Sequence, residues 1–105
     1  MKKEEVAMIG FEIVAYAGDA RSKLINALKE AEHGNYEEAD KLIENATDLI
    51  TQAHKSQTDM LQAEARGEDV ELGFIMVHGQ DHLMTTMLLR DVIQNFITLY
   101  KRTAK

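Results

Sequence analysis

A chain of 105 residues suits one domain, residues 1–105, and is too short for two independent cores. Its 45% hydrophobic and 29% charged residues allow a core inside a solvated surface, while the formal charge of −6 disfavours nucleic acid, whose phosphates need clustered Lys and Arg. The absence of cysteine removes disulfides, thiolate nucleophiles and Cys-based zinc sites together. No run of about 18 apolar residues exists, so no membrane insertion is expected. The opening "MKKEEVAMIG" lacks both a secretory apolar run and a small-residue cleavage site, which points to the cytoplasm.

Proline is absent, and glycines punctuate the chain at Gly34 and Gly67. From Val6 an apolar series runs through Ile9, Ile13, Ala17, Ala20, Leu24, Ala27 and Ala31, then stops at "EHGN". Gly34 suits the position just past a helix, and Asn35 suits the N-cap of the next. The second series runs Ala39, Leu42, Ala46, Leu49, Ala53, Gln57, Met60 and Glu64, and ends at "ARGEDVELG". The third spans about Phe74 to about Tyr100. Spacings of three and four throughout predict three helices of about 30 residues, far longer than the usual mean of about 11 to 12. Short connections make neighbours antiparallel, so the expected fold is all-α, an up-down-up three-helix bundle. Gly10, Ala15, Ala17 and Gly18 make the first helix thin at the end where the third begins, permitting close approach there.

On a helical wheel Phe74, His78, Asp81, His82, Thr85, Leu88, Leu89, Val92, Ile93, Phe96, Leu99 and Tyr100 share one arc of roughly 140°. That arc is the face expected to be buried. Met76, Leu83, Met84 and Met87 lie outside it and form a second apolar patch, which reads as a partner-docking surface or an assembly contact. A helix with two oily faces predicts a homo-oligomer, a docking surface, or both.

The segment "MVHGQDHLMTTM", residues 76–87, sets His78, Asp81 and His82 at i, i+3 and i+4 on one face. Desolvating three such groups costs several kcal/mol unless they pair or bind something. His33, in a last helical turn beside Gly34, and His54, at the edge of the second stripe, read as structural. The zinc-protease signature wants a glutamate directly after its first histidine, where Gly79 stands. A helical histidine-phosphotransfer motif wants lysine and glycine where Asp81 and His82 stand.

The same segment resembles the active-site stretch of the lactose/cellobiose-specific enzyme IIA proteins of the bacterial sugar phosphotransferase system. "AGDARS" (17–22), "AHKSQTDMLQAEARG" (53–67) and "MVHGQDHLMT" (76–85) resemble that family in order and spacing, so the likeness covers essentially the whole chain. One departure is Gly79, where many members have alanine. The resemblance implies a homotrimer of three-helix bundles, nine helices in all. It implies a phosphotransferase-system component in which His78 accepts a phosphoryl group from HPr and passes it to a cysteine of a IIB component, in uptake of a β-disaccharide. It implies further that Asp81 lies on the trimer axis and ligates a divalent cation, magnesium by preference. His82 is then a candidate hydrogen-bond partner for the phosphoryl oxygens, and a packed polar residue at a subunit seam otherwise. Gln57, in the middle of an apolar stripe, is assigned to a supporting polar layer because a buried amide needs partners. The competing expectation is a non-catalytic helical assembly module whose His/Asp layer holds a structural metal.

Overall fold

The computed structural model describes residues 1–104. They form three helices of 30 residues each, α1 (Lys3–Glu32), α2 (Tyr36–Ala65) and α3 (Phe74–Thr103), laid side by side in a rod of 57 × 20 × 18 Å. Up-down-up is the expected order, and the boundaries fall close to the periodic series.

The two turns follow from their glycines. Gly34 and Gly67 carry φ of 82° and 86°, the left-handed region that an L side chain adopts only at a cost. At the first turn Asn35 N–H donates to the Glu30 carbonyl at 2.9 Å and Gly34 N–H to that of Ala31 at 3.0 Å. At the second, Glu68 N–H reaches Ala63 at 3.1 Å and Gly67 N–H reaches Glu64 at 2.9 Å. Both are Schellman closures, which satisfy carbonyls that the helix end leaves free. Asn35 occupies the N-cap position of α2, but its side chain makes no capping bond. Its amide instead donates to the Glu30 carboxylate at 2.8 Å, tying the turn back to α1. His33 closes the same turn, with ring Nδ1 2.7 Å from the Lys29 carbonyl.

α1 is the central staple. Val6, Gly10, Ile13, Ala17, Ala20, Leu24, Ala27 and Ala31 are buried at alternating spacings of four and three. Because most of these are small, neighbouring helices come close on both sides. α3 packs along α1, and meets α2 along a much thinner seam.

The packing of α3 corrects the wheel. Its buried residues are Met76, Gly79, Leu83, Thr86, Ile93 and Ile97. Much of the arc expected inside is on the surface: Phe74 is 83% exposed and Leu88 63%, and Leu99 and Phe96 are exposed too. The reason is backbone proximity. Gly10 and Gly79 let α1 and α3 touch, which turns Met76, Leu83 and Thr86 inward and swings the bulkier stripe outward.

Candidate functional site

α3 begins after Gly73, whose backbone is extended (φ −130°, ψ 171°), with no side-chain cap on the new helix. His78 follows one turn in and is exposed, while His82, one turn further, is half-buried. Their rings meet edge to face, with centroids 4.5 Å apart and planes at 85°. His82 Nδ1 is shielded from solvent and has no hydrogen-bond partner among the described residues. Among the described residues the ion pairs all lie elsewhere, so neither histidine is paired with a carboxylate.

Asp81 is exposed on the same outward stripe. Thr85 Oγ1 donates to the Asp81 backbone carbonyl at 2.8 Å, leaving the carboxylate free of that hydroxyl. Among the described residues no group of three His, Cys, Asp or Glu side chains converges within one chain to hold a metal ion. Asp81 alone cannot be a complete site.

Gln57 is half-buried on α2, as the polar-layer expectation requires. Its Nε2 donates to the Oε1 of Gln80 on α3 and lies 3.5 Å from Met84 Sδ. Gln80 Nε2 in turn sits 3.7 Å from Met76 Sδ. The sequence reading missed Gln80.

The docking patch is corrected at two of its four residues. Met76 is 4% exposed and Leu83 is fully buried, so both belong to the interior of the bundle and offer no surface to a partner. Met87 is partly buried against the core, and Met84 is exposed. A hollow of about 510 Å3 lined by Arg21, Ser22, Ile25 and Asn26 opens beside His82. A second, of about 540 Å3, lies at the far α1–α2 turn among Glu30, Tyr36, Glu37 and Lys41, away from both histidines.

The pattern of the family described as "PTS system, Lactose/Cellobiose specific IIA subunit" matches residues 8–101. The lactose-specific EIIA component of Lactococcus lactis subsp. lactis is 59% identical over 105 residues, covering all of both chains. The crystal structure of the cellobiose-specific enzyme IIA from Bacillus anthracis superposes with a TM-score of 0.89 at 37% identity, over 97% of this chain and 93% of that one. The chitobiose IIA of Escherichia coli, solved in complex with HPr, superposes with a TM-score of 0.78 at 30% identity, over 100% of this chain and 99% of that one. Matched from end to end in sequence and in fold, the chain belongs to the lactose/cellobiose-specific IIA family of the sugar phosphotransferase system.

Proposed function

We propose that the chain is a phosphohistidine carrier in which His78 takes a phosphoryl group from HPr and gives it to the cysteine of a cognate IIB component, serving uptake of a β-disaccharide such as cellobiose, chitobiose or lactose. The observation that carries this reading is an accessible imidazole, braced edge-on by a second histidine and, among the described residues, free of any carboxylate ion pair. The HPr complex of the chitobiose relative supports the donor.

The chemistry asks little of the protein. A neutral ring nitrogen of His78 attacks phosphorus in line as the bond to the donor breaks, and the phosphoramidate formed is reactive enough to pass on. The IIB thiolate then attacks the same phosphorus, and the electron pair of the breaking P–N bond returns to His78. Between the two steps the intermediate must survive water, and among the described residues no carboxylate is paired with either histidine, which suits that need. Since His82 Nδ1 has no acceptor to meet, the tautomer with its proton on Nε2 avoids an orphaned N–H, and that N–H can serve the phosphoryl oxygens. Gln57 supports this end of α3 from below through Gln80.

The assembly in this reading is a homotrimer. Phe74, Leu88 and Leu99, with Asp81 among them, form an unpartnered stripe along α3 at helical spacing. A globular chain of 11.9 kDa should expose roughly 6,000 Å2, whereas this one exposes 6842 Å2. Three copies joined on that stripe would bring three Asp81 carboxylates together, an oxygen-only donor set that fits magnesium better than zinc or copper. A cation there would supply charge neutralisation between subunits. Met84 remains as the exposed methionine suited to touching partners in turn.

Incubation with enzyme I, HPr and labelled phosphoenolpyruvate tests the reading. An acid-labile, alkali-stable label on the chain is expected. No label would leave the non-catalytic assembly module as the better account.

A further inference from the structure

We propose that Gly10 is a positioning residue for phosphoryl transfer: its missing side chain lets the α1 backbone clamp the first turn of α3 and so fixes where His78 stands. The inference rests on His78 being the acceptor.

Gly10 is a buried glycine inside a helix, a position where glycine is intrinsically unfavourable. Its backbone does not require it, because Gly34 and Gly67 are the positive-φ residues. Space does require it. A Cβ at Gly10 would fall 2.9 Å from the backbone N of Met76, 3.0 Å from the backbone C of Ile75 and 3.0 Å from Ile75 Cγ2. Two of these three atoms are main chain and cannot rotate aside. Gly79 completes the contact from the other helix, since a Cβ there would stand 3.1 Å from the Gly10 carbonyl oxygen and 3.4 Å from Ile13. Gly18, one face round on α1, has open space above it.

The clamped turn needs holding. Ile75 and Met76 sit in the first turn of α3, whose N–H groups have no intrahelical acceptor and no side-chain cap. Such a turn frays unless something packs on it. His78 comes two residues after Met76, so any displacement of that turn moves the imidazole relative to His82 and to an incoming phosphorus. In-line transfer tolerates little misplacement, and an error on the order of 1 Å can cost about a hundredfold in rate.

The test compares single glycine substitutions by the rate of His78 phosphorylation at saturating phospho-HPr, and by the HPr concentration giving half that rate. Gly10→Ala should slow the saturated rate about tenfold or more and leave the half-saturating concentration unchanged, as expected for a misaligned acceptor on an intact docking surface. Gly18→Ala puts the same methyl group into the hollow beside His82 without touching the first turn of α3, so it should slow transfer less than Gly10→Ala. Gly79→Ala meets its nearest atom, the Gly10 carbonyl oxygen, at 3.1 Å against 2.9 Å for the Gly10 contact, so it should slow transfer less than Gly10→Ala. Adding Ile75→Ala to Gly10→Ala removes only the side-chain contact and should not restore the rate; restoration would overturn a backbone clamp. A wild-type chain that takes no label defeats the carrier reading. A labelled wild type matched by Gly10→Ala defeats the clamp alone. Should Gly10→Ala fail to fold, amide exchange of the wild-type chain decides. The hydrogen-bonded Val77 and His78 amides should exchange far more slowly than those of Asp69, Val70 and Leu72, and loop-like exchange at Val77 and His78 would overturn the proposal.

Discussion

His78 and His82 stand one helical turn apart but differ in access, and that difference sets their expected roles. Replacing exposed His78 with Ala should abolish labelling and leave thermal unfolding within about 0.5 kcal/mol of wild type, since little packing is lost at an exposed site. His82→Ala should keep the label on His78 and slow its transfer. Loss of label in His82→Ala with retention in His78→Ala would reverse the two roles. Gly67 makes a second residue-scale case. Forcing a Cβ onto a φ of 86° should cost about 1 to 2 kcal/mol in Gly67→Ala, read as a lower midpoint in urea. At this scale the candidate residues stood out in the sequence, because His78, Asp81, His82 and Gln57 each broke an apolar pattern. Gln80 did not, because a polar residue flanking an apolar stripe looks the same whether it meets solvent or another amide.

The helices as elements were legible from spacings of three and four, and the turns from two glycines. The rotation of α3 was not. A wheel weights each side chain by its oiliness, and the oiliest face of α3 is not the face it packs inside its own protomer. The inner face carries Gly79 and Thr86, which add nothing to an apolar arc; a helix approached through glycine backbone looks polar on paper. Thr86 resolves its own polarity by placing Oγ1 3.4 Å from the Ala17 carbonyl. The consequence for Leu83 is direct. As a fully buried residue it should lose about 2 to 5 kcal/mol on change to Ala, measured by chemical unfolding. Leu83→Glu should fail to fold stably instead of weakening partner exchange selectively. Met84→Glu is the substitution that tests docking, and it should leave unfolding nearly unchanged while raising the HPr concentration needed for half-maximal transfer.

On the scale of the whole molecule, one protomer leaves Phe74, Leu88 and Leu99 in water along a single stripe, and Asp81 stands among them. If three copies close on that stripe, every residue near the three-fold axis occurs three times. Leu88→Asp would then place three charges in a layer that should be apolar, and sedimentation should show monomers. Asp81 behaves oppositely. Three carboxylates brought together repel in a partly dry layer, and a shared cation is the simplest relief. Removing the cation with a chelator should therefore loosen the wild-type trimer. Asp81→Leu removes the repulsion and matches its apolar neighbours, so it should hold the trimer as well or better, and chelator should no longer matter. The deciding measurement is sedimentation of wild type and Asp81→Leu, each with and without chelator at neutral pH. A wild-type trimer indifferent to chelator, beside an Asp81→Leu chain that dissociates, would overturn the shared-cation account of Asp81.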